Sequence, residues 1–507
     1  MQCLPRCISN LSRRPLYSSI VRPLRTSSAC HSVPHSARRQ LLTLAIETSC
    51  DDTCVAILEK DATGTARLHF NEKITSDNRE FGGIHPLTAI VGHMTSLAPL
   101  VEKALRALPD ADRDGSPENA TGLSIDRRLR LKPDFVSVTR GPGMNTNLAV
   151  GLNTAKGLAV AWSVPLMAVN HMQAHALTPR LVRALERREA GQQDKIRGPE
   201  SYSPQFPFVS LLASGGHTML VHSRSLNDHK ILAKAPNIAV GDMLDKCARL
   251  ILPPEVLATE DSNAGMYAAM LEEFAFPGSK EGTSYNYNYT APMRRGQEIA
   301  PLNLGYDWAL TPPLSAMGTG AAAAAMYDFS GLNGQVQSIM AGRPEISIDE
   351  RRSLAQGTMR LAFEHLANRV FLALPVIERD AVLGNDTTAP ASDTTQEEPN
   401  NEKSNNNHAI NTLVLSGGVA SNQYLRHIMK ATLDARGFPH IELVAPPISL
   451  CTDNAAMIAW AAMEMYEEGW RSDLGVQCLR RWSLDPAAED GGILGAGGWH
   501  RVSSVAQ

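Results

Sequence analysis

The chain has 507 residues, of which 43% are hydrophobic and 20% are charged, and its formal net charge is −4. This composition is typical of a globular chain with up to roughly three domains. The longest apolar stretches are shorter or less hydrophobic than the roughly 20 residues that cross a bilayer. The sequence therefore excludes the membrane-spanning classes of protein.

The N-terminal arm is basic. Its first 40 residues contain seven arginines and many serines, and no acidic residue precedes Glu47. An arginine-rich, acid-free N-terminus without a compact apolar segment predicts a mitochondrial transit peptide, with a nucleic-acid-binding arm as the alternative. Cleavage near residue 40 removes these arginines and changes the net charge from −4 to −11. A polyanion would then have to bind a local basic patch, such as Arg294–Arg295 or Arg480–Arg481.

Four segments predict the main architecture. LTLAIETSCDDTCVAIL and FPFVSLLASGGHTMLVHS each predict a strand, a turn and a second strand. FVSVTRGPGMNTNLAVGLNTAKGLAVAW and TLVLSGGVASNQYLRHIMKATLDARG each predict a strand, a glycine loop and a helix. Two hairpins, each later followed by such a unit, predict two related α/β lobes around a cleft. A single long doubly wound sheet is the alternative.

The predicted domains are a transit peptide at 1–40, an N-terminal lobe at 41–180, a C-terminal lobe at 181–480 and a tail at 481–507. Within the second lobe, residues at about 384–410 lack apolar periodicity and are rich in Asn, Thr, Glu and Pro. This composition predicts a disordered insertion in a surface loop.

The segment VNHMQAH suggests a metal site. Asn170 is a natural N-cap, so His171 and His175 share one face of a helix that Pro179 is expected to kink or end. A zinc protease needs Glu directly after the first histidine, and Met172 stands there instead. Asp453 could complete a site of two histidines and one carboxylate for Zn²⁺ or Fe²⁺. The alternatives are two helix histidines without a metal, and Asp453 as a helix N-cap.

Three glycine turns follow apolar strands, in TRGPGMNTN, LASGGHT and LSGGVASN. Glycine turns offer backbone amides to an anion, and Ser421 and Asn422 add groups suited to a ribose or a base. Each turn alone could be a plain turn, and Ser421 and Asn422 could be N-cap residues. Together the three turns predict a nucleotide held between two lobes.

Seven motifs, in this order, resemble the universal tRNA N6-adenosine threonylcarbamoyltransferase family: AIETSCDDT, TRGPGMNTNLAVGLNTAKGLA, VNHMQAH, SGGHT, GDMLDKCAR, SGGVASN and CTDNAAMIA. The resemblance runs from about Leu41 to Trp460, and the N-terminal arm is similar to that of mitochondrial members. It implies an actin/Hsp70/sugar-kinase type fold with two RNase H-like lobes and an active site between them. It also implies transfer of a threonylcarbamoyl group from threonylcarbamoyl-AMP to the adenosine 3′ of the anticodon.

By resemblance, His171, His175 and Asp453 are the ligands of one divalent metal ion, Zn or Fe. The residues that resemble contacts of the threonylcarbamoyl adenylate are Leu212, Ala213, Ser214, Gly215, Gly216, Asp245, Gly265, Ser421, Asn422 and Thr452. We also consider Asp245 as a catalytic base, with adenosine binding or an ion pair with Lys246 as alternatives. The implied partners are mitochondrial tRNA and a second copy of the chain, in the mitochondrial matrix.

The chain departs from the family pattern in places. Leu87 and Val91 stand where relatives often carry a glutamate and a basic residue, and Asp242 replaces the usual glutamate. These departures leave the metal triad intact. The alternative functions are an ATP-dependent, sugar-kinase-like phosphotransferase and a non-catalytic nucleotide-binding scaffold.

Overall fold

The computed structural model describes residues 40–502, except residues 82, 112–121, 190–201, 259–266, 279–284, 319, 344 and 386–409. The predicted transit peptide, Gly265 and nearly all of the predicted disordered insertion therefore lie outside the described residues. Within the described residues, no helix is both long and apolar enough to cross a membrane.

The strands are numbered in chain order. They are β1 (Leu41–Glu47), β2 (Asp52–Lys60), β3 (Ala66–Thr75), β4 (Gly122–Ile125), β5 (Arg128–Leu131), β6 (Phe135–Gly141), β7 (Leu166–Asn170), β8 (Phe208–Ala213), β9 (Thr218–Ser223), β10 (His229–Lys234), β11 (Leu302–Asn303), β12 (Ala309–Leu310), β13 (Thr412–Ser416), β14 (Glu442–Val444), β15 (Trp470–Ser472) and β16 (Trp499–Arg501).

The helices are numbered in the same way. They are α1 (Pro86–Arg106), α2 (Asn145–Trp162), α3 (His171–Glu189), α4 (Val240–Ile251), α5 (Pro254–Leu257), α6 (Tyr267–Ala275), α7 (Arg295–Glu298), α8 (Ala321–Ala324), α9 (Ser330–Ala341), α10 (Ile348–Asn385), α11 (Gln423–Ala435), α12 (Ile448–Cys451), α13 (Ala455–Glu467) and α14 (Gly492–Gly495). Short 3-10 helices lie at Arg79–Phe81 and Gly418–Ser421.

Two mixed sheets repeat one strand arrangement. The seven-stranded sheet has the order β16-β15-β7-β6-β1-β2-β3, and the five-stranded sheet has the order β10-β9-β8-β13-β14. In each sheet an antiparallel three-stranded meander is extended by two parallel strands on the side of its first strand. The repeat confirms the predicted α/β fold with two RNase H-like lobes of actin/Hsp70/sugar-kinase type. The alternative of one long sheet is not observed among the described strands.

Helices α3 and α13 lie between the two sheets. One hydrophobic core joins Val169 of the first sheet to Phe208 and Val414 of the second. Every residue of α13 from Ala455 to Met465 is buried, as is typical of a helix enclosed on all sides. Helices α1 and α2 cover the other face of the first sheet, and α4, α10 and α11 belong to the core of the second.

The C-terminal segment differs from its predicted place. Strands β15 and β16 extend the first sheet beside β7, although the linear division assigned residues 470–472 to the second lobe and residues 481–507 to a tail. The chain returns to the first sheet through α13, which packs against β1, β2, β6 and β7. A linear division of the chain cannot anticipate this return, because the contact is long-range.

Candidate functional site

The histidines of VNHMQAH lie at the start of α3. Strand β7 ends at Asn170, whose Oδ1 accepts hydrogen bonds from the amides of Met172 (2.9 Å) and Gln173 (3.2 Å). Asn170 therefore caps the helix as predicted. The four-residue spacing places the rings of His171 and His175 edge to face, with centroids 4.7 Å apart.

Asp453 meets both histidines. Its Oδ1 lies 3.1 Å from His175 Nε2 and 3.5 Å from His171 Nε2. One ligand atom from each residue falls within 4.8 Å of the other two, so the three could hold a metal ion. Asn454, and not Asp453, caps α13, because its side chain accepts a hydrogen bond from the amide of Met457. The carboxylate of Asp453 therefore points to the histidines and does not serve as the helix cap.

Helix α3 does not end at Pro179, contrary to one of the two expected outcomes, and continues to Glu189. A proline within a helix removes the hydrogen bond to the carbonyl four residues earlier, which here belongs to His175. The hydroxyl of Ser416 on β13 donates to that carbonyl at 2.9 Å. The second sheet thus satisfies the acceptor that the proline leaves open, next to a metal-ligand candidate.

Glu47 is a further residue of this site, and the sequence analysis missed it. Its side chain is fully buried at the end of β1, and its Oε2 lies 3.1 Å from His171 Nδ1. The Thr139 hydroxyl and the Ser49 amide donate to the same carboxylate. Because a carboxylate only accepts, Nδ1 of His171 carries the proton and Nε2 faces Asp453. No motif pattern pointed to Glu47, since it lies 124 residues before His171.

The charges of the cluster suit a divalent cation. Burial opposes protonation of His171, but the carboxylates of Glu47 and Asp453 raise its pKa to about 9. Burial likewise opposes ionisation of Asp453, yet the two histidines hold its pKa below the usual range. The pKa of Glu47 is also lowered, because the charge of His171 outweighs burial. Without a metal, two carboxylates and one imidazolium leave a net negative charge on the cluster. A cation would take the place of the proton on His171 Nε2, while Nδ1–H stays on Glu47.

The glycine turns after β8 and β13 touch. Leu212 and Ala213 are buried at the end of β8, whereas Gly215 and Gly216 in the following turn are exposed. A Cβ built on Gly417, whose φ is +93°, would lie 2.4 Å from the Ala213 carbonyl oxygen. Only glycine fits this approach. The structure therefore brings LASGGHT and LSGGVASN together, as the prediction of one nucleotide site requires.

The start of α4 joins the same turn. A Cβ on Gly241 would lie 2.7 Å from the carbonyl oxygen of Ser214, so this helix begins against the turn. Asp245 follows one helical turn later and accepts a hydrogen bond from the Ala268 amide at 2.9 Å. Burial raises the pKa of Asp245 to about 6. Lys246 pairs with Asp242 at 2.8 Å.

Thr452, Ser421 and Asn422 lie on the other side of these turns. Thr452 Cγ2 is 3.7 Å from a Cβ built on Gly418, which connects the turn to the residue before Asp453. The Ser421 hydroxyl donates to the Gly418 carbonyl at 2.6 Å. Asn422 caps α11, since its side chain accepts from the Leu425 amide. The alternative of an N-cap role thus holds for Asn422.

The loop in TRGPGMNTN has a packing role. The amide of Gly143 donates to the Arg480 carbonyl at 3.3 Å, and the amide of Met144 donates to the Ser49 carbonyl at 3.0 Å. These two amides already have acceptors within the protein. The loop supports the Ser49 turn, which in turn contacts Glu47, and does not present these amides to an anion.

Two more residues face the cluster without having been predicted. Burial, together with repulsion from His171 and His175, lowers the pKa of His217 to about 4, which places this neutral imidazole in the field of the metal-ligand candidates. Lys73 Nζ lies 2.9 Å from Asp52 Oδ2 and 3.3 Å from Thr452 Oγ1. Only His217 had a sequence signal, as part of SGGHT.

Comparison with known proteins gives one family. The model of the family TsaD, tRNA N6-adenosine threonylcarbamoyltransferase, matches residues 69–460. The mitochondrial tRNA N6-adenosine threonylcarbamoyltransferase of Schizosaccharomyces pombe is 33% identical over 91% of this chain and 89% of its own length. The corresponding enzyme of Rhizobium leguminosarum bv. trifolii is 31% identical over 88% of this chain and 95% of its own.

Among solved structures, HypF from T. kodakarensis matches 85% of this chain and 48% of its own chain, with 12% identity and a TM-score of 0.38. A likeness at that level supports no functional conclusion. The family model and the two relatives cover most of the chain, including the histidine pair, Asp453 and the glycine turns. This chain therefore belongs to the tRNA N6-adenosine threonylcarbamoyltransferase family.

Proposed function

We propose that this protein transfers the threonylcarbamoyl group of threonylcarbamoyl-AMP to N6 of the adenosine 3′ of the anticodon, in mitochondrial tRNAs that read ANN codons. The product is t6A, and the place is the mitochondrial matrix. The observation that carries the proposal is the convergence of His171, His175 and Asp453 with the turns at 214–216 and 417–418 in a member of this family. The comparisons do not favour the kinase-like and scaffold alternatives.

One divalent cation, Zn²⁺ or Fe²⁺, fits the triad. Two imidazole nitrogens and one carboxylate oxygen are a donor set that both metals accept, and three ligands leave positions open for a substrate. The Nε2 atoms of His171 and His175 and the Asp453 carboxylate would hold the ion, while Glu47 holds the tautomer of His171. The bound ion would act as a Lewis acid that polarises a substrate oxygen.

The reaction needs no nucleophilic side chain. Threonylcarbamoyl-AMP is a mixed anhydride, so attack by N6 forms the N–C bond while the C–O bond to phosphate breaks and AMP leaves. The thiols near the site are unsuited to attack, because burial raises the pKa of Cys50, Cys54 and Cys451. Direct transfer between two oriented substrates is therefore the simplest mechanism.

The chain's own groups would orient the adenylate and move the proton. The exposed residues Gly215 and Gly216 would offer backbone amides to the adenylate, whereas the Ser214 amide already donates to the His217 carbonyl at 2.8 Å. Ser421, Asn422 and Thr452 would complete the contacts. Asp245 would accept the proton that N6 loses, since a pKa of about 6 leaves it ionised at neutral pH and still basic enough. Lys73 would add positive charge at the edge of Thr452.

We further propose a homodimer through α1 and α2. Leu87, Val91 and Met94 repeat at helical spacing on α1 and are 69%, 56% and 67% exposed. Val160 on the neighbouring α2 is 60% exposed. An exposed apolar stripe marks an interaction surface. A second copy is a suitable partner because the stripe carries no charge that would repel its own image.

The direct test is to incubate residues 41–507 with threonylcarbamoyl-AMP, unmodified tRNA and added Zn²⁺ or Fe²⁺, and to measure t6A in the digested tRNA. We expect t6A to form without ATP. Absence of t6A from folded, metal-loaded protein would contradict the transfer, and release of γ-phosphate from ATP onto a sugar would favour the kinase alternative.

The metal assignment has its own test. His175→Ala should lower the metal content and the transferase activity together, because one of three ligands is lost. His440→Ala, which alters an exposed histidine, is the matched control and should change neither. Unchanged metal content in His175→Ala would show that the ligand assignment is wrong.

A further inference from the structure

A second cavity lies on the C-terminal lobe, between the segment at 288–299, helix α10 and the end of α11. Its volume is about 450 Å³, within the range of small-molecule sites. Its charged lining residues are four arginines and two glutamates, namely Arg295, Arg360, Arg369, Arg436, Glu298 and Glu364. Burial lowers the pKa of His365 in the same wall, which keeps it neutral. The lining therefore has a formal charge of +2.

Arg369 is the most unusual of these residues. It is only 6% exposed, its Nε donates to the Met326 carbonyl at 2.9 Å, and its Nη1 donates to the Asn368 side chain. Within the described ranges no carboxylate lies at ion-pair distance from its guanidinium. The carboxylate of Glu298 attracts Arg369 through space but forms its ion pair with Arg295, at 3.0 Å. A buried cation without a carboxylate partner of its own is costly, and here it borders an open cavity. An anion in the cavity would supply the missing counter-charge.

The guanidinium groups of Arg436 and Arg360 are each fixed by a hydrogen bond from Nε, which leaves their Nη atoms available to a ligand. Arg436 donates through Nε to the Tyr289 hydroxyl at 2.9 Å and lies 5.2 Å from the centroid of the Phe371 ring. Arg360 donates through Nε to Glu364 at 3.0 Å. In the part of the chain that the structure describes, the Nη atoms of Arg360 and Arg436 donate to no acceptor. Such fixed, planar groups match the oxygens of a phosphate.

The cavity is distinct from the transferase site. Asn422 caps the N-terminus of α11, and Arg436 follows at its C-terminus. A helix of 13 residues is about 20 Å long, so the two sites lie at opposite ends of this helix. None of the metal-ligand or adenylate-contact candidates lines the cavity.

We propose that this cavity binds a phosphate group, carried by a small phosphorylated molecule or by the backbone of an RNA. The charge of the lining favours phosphate over a carboxylate, because a phosphate monoester carries about two negative charges and three acceptor oxygens. A purely structural role would require one carboxylate for each arginine, but Glu298 and Glu364 already pair with Arg295 and Arg360 at 3.0 Å. Among the described residues, Arg369 and Arg436 have no carboxylate at ion-pair distance. The inference does not depend on the proposed transfer reaction.

The test uses the full chain from residue 41 and three probes at constant ionic strength: inorganic phosphate, AMP and unmodified tRNA. Affinities are measured by calorimetry for the small probes and by filter binding for tRNA. Arg369→Gln and Arg436→Gln should each weaken binding about tenfold or more, because each removes a charge-assisted hydrogen bond. Arg379→Gln removes an exposed positive charge on α10 outside the cavity and should have little effect.

The readout is the difference between the cavity variants and Arg379→Gln, because phosphate bound at the metal site affects all of them alike. Losses for phosphate and AMP indicate a small-molecule site, and a loss for tRNA alone indicates a backbone phosphate. Equal affinities in Arg436→Gln and Arg379→Gln for all three probes would overturn the proposal. Arg436→Gln keeps the test valid if Arg369→Gln fails to fold, since Arg436 is only partly buried.

Discussion

At the scale of single residues, the site depends on a side chain that touches no substrate in the proposed mechanism. Glu47 binds the proton-bearing nitrogen of His171 at 3.1 Å, which fixes the ring so that Nε2 meets Asp453. Such outer carboxylates raise the basicity of a ligating histidine and hold its orientation. The proposed metal site therefore includes Glu47, which contacts a ligand candidate, in addition to the three predicted ligands.

Glu47→Gln should weaken metal binding by about 10- to 100-fold, because the amide keeps the size of the side chain but loses the charge that holds the Nδ1 proton. Competition with a chromogenic chelator measures the affinity independently of activity. Glu59→Gln is the matched control, since Glu59 is a buried glutamate of the same hairpin that pairs with His69 at 2.8 Å. Equal affinity in the two variants would contradict the positioning role.

The titration of His171 predicts how the stability of the metal-free protein depends on pH. The folded pKa of about 9 lies above the ordinary value of 6.5, so protonation of His171 stabilises the fold. This contribution is complete below pH 6.5 and is lost as the pH rises through about 9. Urea unfolding of chelator-treated protein should therefore show falling stability between these values. Glu47→Gln should flatten the dependence, and a flat wild-type curve would contradict it.

At the scale of elements, one hydrogen bond connects the histidine helix to the second sheet. Pro179 deprives the His175 carbonyl of its helical donor, and Ser416 on β13 replaces it. The bond explains why α3 passes through a proline without ending. It also places the backbone of a metal-ligand candidate under the control of the strand that leads into the Gly417–Gly418 turn.

Ser416→Ala should destabilise the protein by about 1 to 3 kcal/mol, because it leaves a buried carbonyl without a donor. In a Pro179→Ala background the helix regains its own donor, so the same substitution should cost less than about 1 kcal/mol. Urea unfolding of the four proteins gives both values. The Ser210 hydroxyl on the adjacent β8 is buried and lacks a partner among the described atoms, so Ser210→Ala should cost little. Equal costs in the two backgrounds would refute the link.

At the scale of the whole molecule, two properties matter: the negative net charge, which opposes binding of tRNA, and an exposed apolar surface, which favours association of two copies. Without residues 1–40 it has a net charge of −11 by sequence, so tRNA must bind to locally basic surface. The arginine-lined cavity is one such place. The apolar stripe of Leu87, Val91 and Met94 on α1 is the surface through which we propose that two copies associate.

Met94→Glu should convert the proposed dimer to a monomer, because it places two like charges on facing copies of one stripe. Sedimentation velocity over a range of concentrations measures the change. Leu372→Glu alters a leucine on α10 that is 45% exposed and should leave the dimer intact. A monomeric wild-type protein at micromolar concentration would contradict the proposed assembly.

Local pattern was enough for much of the fold and for the centre of the site. Asn170, His171 and His175 lie within one cap and one helical turn, so their arrangement follows from local geometry. The two hairpins and their glycine turns were likewise readable, because strand and turn preferences act over a few residues. Asp453 was predicted because two histidines need a third ligand to complete a metal site. The sequence did not predict how far Asp453 lies from the histidines.

The sequence by itself therefore determined the family, the two-lobed α/β class, the histidine pair and the glycine turns, since each rests on short-range patterns. Only the tertiary structure decided that Glu47 orients His171, that Ser416 compensates for Pro179, and that β15 and β16 return to the first sheet. It alone assembled the arginine cavity from four separate segments. The reason is physical: these contacts join residues distant along the chain, and burial and charge balance depend on the packed whole.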